Sequence, residues 1–498
     1  MILKGAKKMK FIKKYKYWFM VLPILAITLT FVSLYVIPND YWWHIKAGEY
    51  IVTNKVIPFT DVFSWIGIKE GFYWHSHEWL TEVVLFLNFK LFGQCSGYMF
   101  AVSLVLVLAI LLYFFNRERY MQNKLLAIIW VFIGAFAFIY VSSPRPHLIS
   151  FIFLTITIYL LYEYRENENS KKIWVIPFIS FLWVNFHGGS SNLPYILTFI
   201  FIFTGLFNFE IGKISFKRLS NKQIKTYLII AICSILVLAI NPHGLDMITY
   251  PYTNMGDDFM LFNIAEWRSP DLKIKTDLIY YIIMAIPIML FTTTKRKIDF
   301  IDLTLAVAFI YLTSKSVRFS ILLYIVSTFF IFKYVEHLKF ELKSNKLIKI
   351  IDKIKVFSYK LIIAFSFAII VIIPLIVITS NVPGKLFTAP ISDEIIEYIK
   401  EAKPERLYNS YNAGGYLIYN DIPVFVDGRA DMYSVGGTLK DAMKLDEMLV
   451  DVEEVINKYD FDMFLLAKDT QLIQYFEKTN EFKEVLKDDN YILFEKIE

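Results

Sequence analysis

Cysteine is nearly absent from this chain: two in 498 residues, Cys95 and Cys233. Cys233 falls inside an apolar run, so a disulfide framework is excluded. Charge is also sparse, at 20% of residues, and long stretches carry none. Such stretches cannot be the amphipathic surface helices of a soluble globule. No internal repeat is present, and Ala413-Gly414-Gly415 lacks the Lys and Ser/Thr that a phosphate-cradling nucleotide loop needs. The formal net charge of +6 comes from lysine-rich loops rather than a basic patch, which excludes a nucleic-acid partner.

What is present is apolar bulk, at 56% hydrophobic residues. Many runs approach the roughly 20 apolar residues that cross about 30 Å of hydrocarbon, which predicts an α-helical polytopic membrane protein. The first run follows Lys4, Lys7, Lys8, Lys10, Lys13, Lys14 and Lys16. It is too long for a signal-peptide core and lacks a small-residue cleavage site, so an anchored helix with a cytoplasmic N-terminus is expected. Eleven spans fit, at 18–37, 98–115, 124–142, 147–163, 173–187, 193–208, 226–241, 277–292, 301–314, 318–334 and 358–380.

Alternation from the N-terminus puts Lys171 and Lys172, Lys213 to Lys225, Lys295 to Lys297 and Lys333 to Lys360 in the cytoplasm, as the positive-inside rule requires. A twelfth span at 77–92 would invert that pattern, so this segment is expected to lie on the outer surface as a juxtamembrane or re-entrant helix. The expected layout is a membrane domain over 1–381, with a first outer loop at 38–97, and a soluble extracytoplasmic α/β domain over 382–498. In that tail the pattern predicts helix 393–401, strand 406–409, a turn at 412–417, strand 424–426, helix 445–459, strand 463–467, helix 471–478 and a closing hairpin around Asp488-Asp489-Asn490.

The same register puts most residues able to do chemistry outside. If a helix begins after Pro38-Asn39, Asp40 and His44 share one face of it. Asp40 could act as a base, bind a cation, or only cap the helix. Asp61 follows in the same loop, and His75-Ser76-His77-Glu78 invites a divalent-cation reading, although its spacing is not that of a helical zinc motif. Ser143-Pro144-Arg145-Pro146-His147, Asn185-Phe186-His187-Gly188-Gly189, Asn241-Pro242-His243-Gly244 and Glu266-Trp267-Arg268 mark other outer ends. Lys315 and Arg318 interrupt two apolar spans on the side where cations are least expected, which a bound lipid phosphate would explain. Asp427-Gly428-Arg429 ends a predicted strand in the tail, where a ligand or a plain turn would suit it equally.

An acidic residue after the first span, an interfacial helix, a Pro-containing turn, Gly71-Phe72-Tyr73, and a juxtamembrane helix ending Lys90-Leu91-Phe92-Gly93 together resemble the opening of GT-C superfamily membrane glycosyltransferases. The pattern is similar to that of protein O-mannosyltransferases and lipid A aminoarabinose transferases, and to a bacterial branch related to them. The resemblance implies transfer of a sugar from a polyprenyl-phosphate donor to a glycan, lipid or protein acceptor at the outer face of a cell membrane. It implies Asp40 as base or acceptor-orienting residue. His44, Asp61, His77 and Glu78 are further catalytic candidates. Arg145, His147, His187, Arg268, Lys315 and Arg318 are candidates for holding the donor phosphate, since cations stabilise a departing phosphate. The lipid-linked sugar is the donor substrate, and a divalent cation is compatible with these residues as a cofactor. Two other readings fit the same composition: a non-catalytic envelope-assembly or glycan-binding protein, and a transporter.

Overall fold

The computed structural model describes residues 37–93, 96–119, 130, 133, 134, 143–253, 266–335, 389–434, 436–479 and 481–497. The predicted spans at 18–37, 124–142 and 358–380 lie almost wholly outside the described residues, as does Cys95.

Helix α1 (Asp40–Asn54) opens the first loop and packs chiefly against α3 (Trp79–Phe92). Between them α2 (Trp65–Glu70) starts at Ser64, whose hydroxyl accepts from the Gly67 amide, and stops at left-handed Gly71. A short helix capped this way is fixed by its ends rather than its length. From α3 the chain turns by 119° into α4 (Ser96–Arg119), so 79–92 lies across the direction of the following helix.

The apolar segments then fold as α5 (His147–Glu166), α6 (Val175–Phe186), α7 (Leu193–Thr204), α8 (Asn221–Leu236), α9 (Asp246–Thr253), α10 (Leu278–Thr293), α11 (Phe300–Lys315) and α12 (Ser320–Val335). Among the described residues four stretches are long and apolar enough to cross a membrane, at His147–Glu166, Asn221–Ala239, Lys275–Thr293 and Val317–Tyr334; α3 and α4 pass the same test only when taken together as one bent pair. Helix α12 is the hub, almost entirely enclosed by α4, α5, α10 and α11. A helix apolar all round is stable only when buried in this manner.

One end of the bundle is closed by charge. The basic loops after α7 and α10 join in a small sheet: β1 (Glu210–Ile211) pairs with β2 (Ile214–Ser215), which runs parallel to β3 (Ile298–Asp299). Lys333 is held between Asp299 and Asp302, and Asp302 also accepts from Tyr162 at 2.7 Å. The first loop and the tail gather at the other end.

The tail carries a four-stranded sheet in the order β4 (Leu407–Asn409), β5 (Met463–Ala467), β7 (Tyr491–Lys496), β6 (Phe482–Lys487). Strands β4 and β5 are parallel, with Tyr408 opposite Phe464, and the rest antiparallel. Helix α13 (Asp393–Ala402) buries Ile395, Ile396 and Ile399, and a hydroxyl cap from Ser392 begins it. Three expectations change. Residues 414–419 form a short helix rather than a turn. The expected helix 445–459 is two, Thr438–Asp446 and Val452–Tyr459, because Asp451 caps a new start by accepting from the Glu454 amide. Segment 424–426 is no strand of the tail sheet: the Asn409 side chain takes the Phe425 amide and Val426 carbonyl, and Val424 bridges to Ser64 in the first loop.

That bridge is one part of a larger join. Trp42, Trp43, Ile66 and Trp74 of the first loop share a single buried cluster with Tyr408, Leu417, Phe425 and Phe464 of the tail. The Trp65 ring stacks on Phe425 at 5.5 Å, and its indole donates to the Leu407 carbonyl at 3.0 Å. Burying several aromatics at roughly 25 cal/mol per Å² makes loop and tail one packed body.

Candidate active site

A cavity of 490 Å³ opens at the end of the bundle where α1, the α3 entry, the α5 and α6 ends, α9, α11, α12 and the tail converge. Its walls have two characters. Leu193, Ile196, Leu197, Phe309, Leu312 and Leu322 line one side. The other side is polar and carries Asp40, His44, His77, Glu78, Arg145 and Asp431.

Asp40 is the first residue of α1, half-buried at the rim. Its Oδ2 accepts from Arg145 Nη2 at 2.8 Å, and Arg145 Nη1 donates to Glu266 Oε1 at 2.6 Å. One guanidinium therefore links two carboxylates. Burial alone would raise the Glu266 carboxyl, but Arg145 outweighs it and holds the group below the usual carboxylate range. Arg318 lines the same cavity, stacked over the Trp267 ring at 4.9 Å, and among the described residues no carboxylate pairs with it. His147 stands beside it at the start of α5.

One turn along α1, His44 faces two acids. Its Nε2 is 3.9 Å from Glu78 Oε2 and its Nδ1 3.6 Å from Glu82 Oε1. The other Glu78 oxygen faces His187 Nε2 at 3.3 Å and His77 Nε2 at 3.5 Å. Burial would raise the Glu78 carboxyl; His77, His44 and His187 outweigh that and keep it ionised. Burial would equally lower His77, yet Glu78 and Asp431 push it up to about 9. Glu82, buried deeper, is raised by desolvation despite His44. Tyr250 donates to Asp431 at 2.8 Å, so its oxygen accepts from His77 Nδ1 at 2.9 Å and ties loop, α9 and tail together. Gly188 allows a close approach here: its amide donates to the His77 carbonyl at 2.9 Å, and a Cβ there would lie 2.3 Å from Met247 Cε.

Asp40, His44, His77, Glu78, Arg145, His147, His187 and Arg318 thus share one cavity. Three candidates fall elsewhere. Asp61 is buried: its oxygens accept from the Phe63 and Ser64 amides at 2.9 and 3.1 Å and from Arg429 Nη1 at 2.6 Å, so it fastens the loop to the tail and does not line the cavity. Arg268 is spent on Asp277, through bonds of 2.5 and 2.8 Å. Lys315 is exposed beyond the rim, 5.8 Å from the Tyr311 ring centre.

Sequence reasoning missed Glu82, Trp43, Tyr250, Tyr411 and Asp431, and singled out Glu266, Gly428 and Arg429 without bringing them to this cavity. Glu82 had a signal: it stands four residues after Glu78, an acid inside an otherwise apolar helix. Trp43 Nε1 is buried and without a hydrogen-bond partner, a donor left for a ligand.

No family model matches the sequence, and neither does any curated protein. Solved structures do. The oligosaccharyltransferase AglB of Archaeoglobus fulgidus, solved with an inhibitory peptide and a dolichol-phosphate, superimposes with a TM-score of 0.54 at 12% identity over 93% of this chain and 71% of that one. The same enzyme tethered to an acceptor peptide gives 0.52 at 13% identity, over 94% and 71%. ArnT of Cupriavidus metallidurans, bound to undecaprenyl phosphate, gives 0.52 at 12% identity over 96% of this chain and 97% of that one. At such identities the likeness is one of fold. This chain has the fold of the GT-C membrane glycosyltransferases.

Proposed function

We propose that this chain is an integral membrane glycosyltransferase that moves a sugar from a polyprenyl-phosphate donor to a glycan, lipid or protein acceptor at the extracytoplasmic face. The observation that carries this reading is the two-sided cavity. A polyprenyl-phosphate sugar is itself two-sided, and a greasy wall beside a charged one fits it. The fold relatives that hold dolichol-phosphate and undecaprenyl phosphate support the same substrate class.

The roles follow from the charges. The acceptor hydroxyl attacks the anomeric carbon, the bond from that carbon to the phosphate oxygen breaks, and the lipid phosphate leaves with the electron pair. Asp40 takes the acceptor proton. Arg145 orients Asp40, with Glu266 holding the guanidinium from its far side. Arg318 and His147 receive the departing phosphate. Trp43 Nε1 donates to a sugar or acceptor oxygen. In this reading eleven spans cross the membrane, residues 1–381 form the membrane domain and residues 382–498 lie outside.

The test is Asp40→Asn in a strain lacking the chromosomal copy, with envelope glycans analysed by mass spectrometry and insertion checked by protease accessibility. Transfer is expected to fall by about 10²–10⁴-fold in a fully inserted protein. Undiminished glycan modification would overturn the reading.

A further inference from the structure

One group of side chains in the cavity has no part in the transfer step above. His44, Glu78 and Glu82 offer ligand atoms that all lie within 4.8 Å of one another. His44 Nδ1 stands 3.6 Å from Glu82 Oε1, and the ring's other nitrogen, Nε2, stands 3.9 Å from Glu78 Oε2; both are longer than the roughly 2.7–3.2 Å of an N–H···O hydrogen bond. His44 Nδ1 is buried without a hydrogen-bond partner. A tetrahedral ion bonded at about 2.0–2.2 Å holds its donor atoms about 3.4 Å apart, and the 3.6 Å between His44 Nδ1 and Glu82 Oε1 is close to that. Those two atoms stand at the spacing of co-ligands, and a Glu78 oxygen lies within 4.8 Å of each. Closing all three donors onto one ion needs side-chain movements of about an ångström.

The surroundings carry the same signature. Glu78 Oε1 is flanked by His187 and His77, and each of those rings is fixed through its far nitrogen: His187 Nδ1 to Ser150 Oγ at 2.6 Å, His77 Nδ1 to the His75 carbonyl at 2.9 Å. Glu82 Oε2 accepts from Ser76 Oγ at 3.3 Å. Metal-ligating carboxylates are held by such outer partners. Charge balance agrees, because Arg145 is engaged with Asp40 and Glu266, and among the described residues no Lys or Arg forms an ion pair with Glu78 or Glu82. Glu78 has His77 and His187 beside it, but Glu82 is buried with His44 as its only basic partner among the described residues, and a buried acid in that position calls for a cation.

The geometry points to a zinc-type divalent metal site in which His44, Glu78 and Glu82 hold one ion. His77 and His187 orient Glu78, and the ion's fourth position faces the cavity. An imidazole ligand beside two carboxylates selects a first-row transition ion over magnesium or calcium, and three protein ligands with an open position is the form of a catalytic rather than a structural site. The assignment stands on ligand geometry and does not depend on the transferase reading.

The experiment uses the whole chain in detergent, stripped with chelator and titrated with Co²⁺ alone, then with Zn²⁺ in competition. Wild type is expected to bind one ion per chain with the visible absorption of tetrahedral cobalt, which zinc abolishes. His44→Ala and Glu82→Gln should each weaken binding at least about 10-fold, and His187→Ala by about 10–100-fold through Glu78. Lys315→Ala, exposed beyond the rim, should bind like wild type. Wild-type protein with no cobalt above a protein-free dialysis control would overturn the site whatever the variants do. So would His44→Ala and Glu82→Gln that bind as tightly as wild type. Because metal content is read without any transfer assay, this result and the fate of Asp40→Asn are separable.

Discussion

Gly428 of the tail lies against the carboxylate of Asp40, so close that a Cβ at 428 would sit 2.0 Å from Asp40 Oδ1 and 2.8 Å from Trp43 Nε1. Only a residue without a side chain lets the tail close over this edge of the cavity. Gly428→Ala must push Asp40 out of line with Arg145 or lift the tail. A shift near 1 Å costs about 10²-fold in a positioned reaction, and overpacking costs about 1–3 kcal/mol of stability. Transfer assays beside thermal unfolding of the same preparation check this. Wild-type turnover would show that the tail does not set the position of Asp40.

The tail is fastened by a buried charge cluster. Arg429 donates from Nη2 and Nε to the two oxygens of Asp427 at 2.6 and 2.8 Å, donates from Nη1 to Asp61 at 2.6 Å, and lies 4.7 Å from the centre of the Trp74 ring. Arg429→Met leaves two acids buried without their cation, so a loss of about 3–5 kcal/mol is expected. Adding Asp61→Asn and Asp427→Asn removes the orphaned charges and should restore part of it, a non-additivity that denaturant unfolding of the three proteins can measure. An Arg429→Met protein within about 1 kcal/mol of wild type would show that the cluster is not what holds the tail.

How much of this was legible follows from what each residue depends on. The helices at 147–166 and 320–335 are written in local hydrophobicity and came out near their expected bounds. Asp40 and His44 were placed together by helical spacing alone. The place of Asp61 was not legible, because an acid in a polar loop looks the same whether it lines a cavity or meets Arg429, and its partner is 368 residues away. The pairing of Arg268 was within local reach and still unread: Asp277, nine residues on, accepts from both of its terminal nitrogens. Segment 424–426 has strand composition, but its backbone partner is a side chain, Asn409, which no periodicity announces. Contacts across the chain decide these cases, and they leave no local pattern.

Arg318 offers a cation stacked on Trp267 and without a carboxylate partner among the described residues. Arg318→Ala is expected to raise the KM for the lipid-linked donor by about 10-fold or more, as loss of a charged hydrogen bond of roughly 1.5–3 kcal/mol implies. Arg318→Lys should recover only part, because lysine cannot stack on the indole or present a planar fork to phosphate. Steady-state kinetics against donor concentration separate the cases. Unchanged donor KM in Arg318→Ala would place the phosphate elsewhere.

Asp446 gives the tail a pH dependence of definite sign. Burial raises this carboxyl to about 6 although Tyr408 donates to its Oδ1 at 2.7 Å, whereas an unfolded aspartate titrates near 3.8. The folded tail therefore holds the proton more tightly than the unfolded chain. Its contribution is fully present below about pH 4 and is lost as pH rises through about 6. Ionisation costs about 1–2 kcal/mol after allowance for partial solvent contact. Asparagine at 446 accepts from Tyr408 as the protonated acid does and cannot ionise. Asp446→Asn should match wild type in unfolding midpoint near pH 4.5 and exceed it near pH 7.5. Other titrating groups are common to both proteins and cancel in the difference. A gap that is flat with pH, or that widens toward acid, would show that the Asp446 carboxyl is not raised by burial.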